Sequence, residues 1–111
     1  MAYDEDLANR IRELLGSQKG VEEKRMFGGL AFLINGNMSV AASGQGGLLV
    51  RVAPDDSAKL LQREHVSAMV MGGRRQPQGW LRVADDGLKT KRQLQSWVTR
   101  GVDYAKSLKP K

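Results

Sequence analysis

One histidine, His65, no cysteine, and two pairs of adjacent aspartates, Asp55-Asp56 and Asp85-Asp86, are the obvious chemistry-bearing residues of this 111-residue chain. A serine hydrolase needs a histidine base beside an activated hydroxyl, and no serine here stands in a G-x-S-x-G setting. One imidazole and no thiol cannot build a zinc site, and neither aspartate pair has the ligand spacing of a calcium loop. Gly28-Gly29, Gly44-Gln45-Gly46-Gly47 and Gly72-Gly73 match neither the P-loop nor the dinucleotide fingerprint. They read as bulges and turns. His65 falls where a helix should end, so a capping role is expected for it rather than a catalytic one. The expectation is a non-enzyme with no catalytic residue, no cofactor and no metal. A small-ligand site would need a pocket joining Trp80, Arg74 and His65.

Recognition is the chemistry that remains. The reversal Gly72 to Gly79 carries Arg74 and Arg75 just ahead of Trp80, and a guanidinium can clamp a phosphate or carboxylate through two parallel hydrogen bonds. Strand alternation puts Leu49 with Arg51 and Trp80 with Arg82 on one sheet face, which Phe32 is expected to join. These seven residues, Phe32, Leu49, Arg51, Arg74, Arg75, Trp80 and Arg82, form the candidate interaction surface. A third basic surface is the final helix and tail, from Lys89 to Lys111, whose cations fit a solvated outer face.

The elements that must position these groups follow from periodicity and turn chemistry. Asp4 or Asp6 caps a first helix, with Leu7, Ile11, Leu14 and Leu15 on one stripe and Gly16 ending it. Val21 to Met26 begins a strand. Asn35-Gly36 lies between two β-prone runs and supplies the two positive-φ residues of a type I′ hairpin turn. A two-residue turn predicts Leu33 opposite Met38 and Ala31 opposite Val40 on one side. Leu30, Phe32 and Ile34 then share the other side with Asn37, Ser39 and Ala41.

Leu48 to Val52 is a further strand. Pro54 opens a second helix running to about His65 on a stripe of Ala58, Leu60 and Leu61. Strands at Ala68 to Met71 and Trp80 to Val83 follow, then a turn at Asp85-Asp86-Gly87. A last helix spans about 90–108, with Leu94, Trp97, Val98, Gly101, Ala105 and Leu108 inward and a short tail to 111. The order α-β-β-β-α-β-β-α predicts a two-layer α+β domain, an antiparallel sheet with helices packed mainly on one face. Residues 1–111 are read as one domain.

Charge is unevenly placed. Residues 1–23 hold three basic and six acidic groups, and the remainder fifteen basic and six acidic, within a net charge of +6. That field speeds encounters with polyanions without selecting one. The absence of cysteine, of a secretory pattern after Met1 and of any long apolar run predicts a cytoplasmic protein with no membrane contact.

Taken together, Arg25-Met26-Phe27-Gly28-Gly29, Phe32, Asn35-Gly36, Met38, Val50-Arg51-Val52, Gly73-Arg74 and Gly79-Trp80 resemble the N-terminal domain of the TfoX/Sxy family of bacterial competence regulators, from about Val21 to Tyr104. The resemblance implies an α+β domain associated with regulation of transcription, with no catalytic residue, cofactor or metal. It also implies a stand-alone form, because the chain stops where the two-domain regulators continue into a helical C-terminal domain.

The expected function is that of a regulatory interaction domain working through protein contacts, with a homodimer through the apolar 30–42 hairpin as the simplest case. The alternative is a nucleic-acid accessory protein using Arg51, Arg74, Arg75, Arg82 and the final helix.

Overall fold

The computed structural model describes residues 3–26, 28–71, 74–75 and 78–110, with the side chains of residues 71, 74 and 75 left aside. Helix α1 (Glu5–Leu14) is capped by Asp4, whose carboxylate accepts the Leu7 N–H at 3.2 Å. Strands β1 (Val21–Met26), β2 (Gly29–Ile34), β3 (Asn37–Ala42) and β4 (Leu48–Arg51) form a meander, followed by helix α2 (Pro54–Leu60). Then come β5 (Val66–Ala68), β6 (Val70–Met71), β7 (Arg74–Arg75) and β8 (Trp80–Val83), a 3-10 turn at Asp85–Gly87 and helix α3 (Lys91–Ser107).

Six strands make one antiparallel sheet in the order β1-β2-β3-β4-β8-β5, while β6 and β7 pair separately. The α+β architecture is as expected, with differences of detail. Val21–Met26 is a strand of its own, and the 68–71 segment divides at Met69 between β5 and β6. Helix α2 stops at Leu60 rather than near His65. Arg63 N–H turns back to the Leu60 carbonyl at 3.1 Å, and His65 takes a φ of +69°, which ends helical pairing. Ala58 is exposed, and Ser57 is buried beside Leu60 instead.

Asn35 (φ +53°) and Gly36 (φ +85°) make the expected left-handed turn, and Leu33 lies opposite Met38. Beyond that point the register departs from the expectation: Ala31 faces Ala41, and Phe32 faces Val40. The cause is a bulge at Ser39, whose buried hydroxyl donates to the Phe32 carbonyl at 2.7 Å. The extra residue returns Val40 and Ala42 to the side of Leu30 and Phe32, and sends Ala41 to the side of Ala31, Leu33 and Met38. Both faces of the hairpin therefore become apolar.

All three helices contribute to the core on the first face, where Ile11, Leu60, Leu94, Trp97 and Val98 join Phe32, Val40, Leu48, Val50 and Leu81. Helix α3 crosses β2, β3 and β4. It approaches closely at Gly101, where a Cβ would fall 2.6 Å from the Ser39 carbonyl oxygen. Thr90 and Gln93 close a reciprocal cap at its start. Near its end, the buried Asn37 side chain donates to the Lys109 carbonyl at 2.9 Å.

The opposite face holds a second, smaller core of Ala31, Leu33, Met38, Ala41, Leu49 and Met69, with Met26 and Trp80 at its rim. This corrects the expectation that the 30–42 hairpin leaves apolar area in need of a second copy, because both of its faces are buried within the chain.

At the outer edge of the sheet, Glu22 to Arg25 of β1 are exposed, a run of charge that blunts edge-to-edge pairing. Arg12 of α1 braces that strand with two 2.7 Å hydrogen bonds to Glu23, which hold the Glu23 carboxyl below the usual carboxylate range.

Candidate interaction surface

The strand pairing puts Leu49 opposite Arg82 and Arg51 opposite Trp80, so these four share one face as expected. Phe32 does not join them. It pairs with Val40, which pairs with Val50, and all three lie in the helix-side core, where Phe32 is 0% exposed. Leu49 is also buried, at 1% exposure, inside the second core. The face is thus no open platform, and neither apolar residue is available to a partner.

Arg82 is held by the chain itself. Its guanidinium donates to the Gly46 carbonyl and, at 2.9 Å, to the Ser43 hydroxyl, tying down the glycine-rich turn between β3 and β4. Asp85 takes the Gly47 N–H at 3.0 Å from the other side. The glycine run and the second aspartate pair are therefore turn architecture, with the turn's own groups satisfied. Arg74 and Arg75 form β7 by their backbones. Their side chains, together with Phe27, Gly72-Gly73 and Gln76-Pro77, lie outside the described residues.

Arg51 is different. Its guanidinium carbon sits 4.9 Å from the Trp80 ring centre and 5.4 Å from that of Tyr104 on α3. One helical turn back along the same flank of α3, Arg100 lies 5.8 Å from the Trp97 ring, and Arg63 from the turn after α2 approaches the same ring to 5.0 Å. Three half-buried or exposed arginines are thus laid on three rings in a strip running from β8 across the end of β4 and along α3 to the end of α2. Ring quadrupole and cation attract, which favours each guanidinium at its place over the ring.

Sequence reading missed Arg63 and Tyr104, held Arg100 only as one of the final helix's outward cations, and treated Trp97 as core alone. Trp97 is core, at 5% exposure, but its ring also carries two arginines. The available signal was the spacing of 97, 100 and 104, which places all three on one flank of a helix.

Two shallow recesses flank the strip. One, of about 310 Å³, is lined by Val52, Ala53, Asp56, Arg100, Asp103 and Tyr104. The other, of about 270 Å³, lies between Arg63, Glu64, His65, Gln93 and Trp97. His65 sits at the turn that ends α2, with its carbonyl taking the Ala84 N–H at 2.8 Å. The recess that His65 lines includes Trp97 and not Trp80, which stands with Arg51, and the Arg74 side chain expected to join them lies outside the described residues.

Elsewhere the described surface offers little to an apolar partner. Val70, 51% exposed, is the one large hydrophobic residue standing out among the described residues. No described helix is long and apolar enough to cross a membrane.

No curated protein matches the sequence. The family model for the TfoX N-terminal domain matches residues 13–105, from the end of α1 through most of α3, and so takes in every strand and all six stacked residues. The chain belongs to the TfoX N-terminal domain family, a family associated with competence regulation.

Proposed function

We propose that this domain is a regulatory module that works by binding another protein, without catalysis of its own, and that it does so in the cytoplasm. The observation that carries the reading is the strip of Arg51, Arg63 and Arg100 stacked on Trp80, Tyr104 and Trp97. Arginine and aromatic residues are enriched at the energetic centres of protein interfaces. The lack of an apolar patch among the described residues favours a partner that comes and goes over a permanent one.

The test is capture from bacterial lysate by the immobilised domain, in parallel with and without nuclease. The expected result is the same bound polypeptide in both samples, reduced when Arg51 and Arg100 are replaced together by Gln. Capture that disappears on nuclease treatment would transfer the function to nucleic acid, carried by the exposed cations Lys91, Arg92 and Lys106 of α3.

A further inference from the structure

The arginines of this chain divide by what occupies their donors. Arg12 is paired with Glu23, Arg10 with the carbonyls of Leu88 and Thr90, and Arg82 with Ser43 and Gly46. Arg51, Arg63 and Arg100 lie over rings but, among the described residues, have no hydrogen bond or ion pair to their guanidinium groups. A guanidinium held over an aromatic ring, with no hydrogen-bond or ion-pair partner among the described residues, is placed in advance for an oxyanion that its fork can grip with two parallel bonds. The ordering entropy of a long side chain has been met before any ligand arrives.

We infer that this strip is a carboxylate-reading site, and that its ligand is a segment of a partner protein carrying isolated acidic side chains separated by neutral or apolar residues. The inference rests on the protein-binding reading above and names the chemistry of the partner. Two observations select it over a nucleic-acid strand. The Trp97 ring is 5% exposed and is approached by two guanidinium groups, and Tyr104 already has Arg51 over its ring, so a base stacking on this strip would compete with arginine at each of these two rings. Asp56 and Asp103 line the recess beside Arg100, and Glu64 lines the one beside Arg63. An unbroken row of phosphates would be repelled there, whereas carboxylates spaced along a peptide can meet the arginines and pass the acids by.

The experiment uses a fluorescein-labelled synthetic peptide of repeating Glu-Gly-Leu, its Gln-Gly-Leu counterpart and a labelled oligo-dT strand, titrated with the full chain and read by anisotropy at physiological salt. The Glu peptide is expected to bind more tightly than the other two. Joint replacement of Arg51 and Arg100 by Gln should weaken it about tenfold or more, since two charge-assisted forks are lost. Joint replacement of Arg92 and Lys106 by Gln, which removes the same charge from exposed positions of α3 off the strip, should change it less than about twofold. Arg51→Lys, which keeps charge but not the planar fork, should also weaken binding, and thermal melting confirms that each variant is folded. Equal losses in the two double variants, full binding by Arg51→Lys, equal binding of the Gln peptide, or tighter binding of oligo-dT would each overturn the carboxylate assignment. Those outcomes leave the protein-binding reading to be decided by the nuclease experiment alone.

Discussion

Gly101 and Ser39 meet where helix α3 crosses the bulge of β3, so closely that a Cβ on Gly101 would stand 2.6 Å from the Ser39 carbonyl and 2.8 Å from a Val40 methyl. In an isolated helix, Gly→Ala stabilises by about 1 kcal/mol. Here the added methyl must push α3 off the sheet, and overpacking of this kind costs about 1–3 kcal/mol. Gly101→Ala is therefore expected to destabilise by a net 1 kcal/mol or so. Urea unfolding decides the sign, and a gain in stability would refute the close crossing.

The same bulge makes a prediction about Ser39. Its hydroxyl is buried and donates to the Phe32 carbonyl, so Ser39→Ala removes that hydrogen bond at a cost of about 0.5–1.5 kcal/mol. Ser39→Val should cost more, because the β-branched methyls must find room under α3. Chemical denaturation of the two variants side by side measures both effects.

Arg82 is expected to behave as a structural residue. Arg82→Met should lower stability by about 1.5–3 kcal/mol, since hydrogen bonds from a charged donor to Gly46 and Ser43 are lost together. Backbone amide exchange at Ser43, Gly46 and Gly47 should accelerate. It should leave capture of a protein partner unchanged, in contrast to Arg51→Gln, and a loss of capture in Arg82→Met would return this residue to the interaction surface.

The Arg12–Glu23 pair gives a pH dependence of defined sign. Arg12 lowers the Glu23 pKa in the folded state, so the pair's contribution is fully present above the ordinary carboxylate value and is lost as pH falls through the depressed one. Wild type should exceed Glu23→Gln in urea midpoint at neutral pH and converge with it in acid. Both side chains are more than a third exposed, at 41% and 38%, so high salt should narrow the gap as well. A gap that widens in acid would contradict the pairing.

What could be read from sequence was whatever depends on neighbours along the chain. Asn35-Gly36 dictated its own turn, Asp4 announced a helix start, and the spacing of Leu94, Trp97, Val98 and Gly101 defined the buried side of α3. The bulge escaped because Ser39 looks like an ordinary alternating residue until its hydroxyl finds Phe32 and its carbonyl meets Gly101.

The candidate surface was half legible for a related reason. Alternation placed Arg51 with Trp80 correctly, yet it could not tell that Arg82 would be taken up by a turn 36 and 39 residues earlier in the chain. Nor could it bring Tyr104 from a distant helix onto Arg51. Phe32 lies on the side opposite to that expected, because a single strand carries no label saying which of its two apolar faces the helices will cover.

That α3 follows β2, β3 and β4 in the chain yet lies across them governs the order in which this fold can be completed during synthesis. Those strands leave the ribosome early with their helix-side flank bare, and it stays bare until the closing helix has emerged. Unassisted maturation is thus a race between the emergence of α3 and sticking of the nascent sheet to its surroundings.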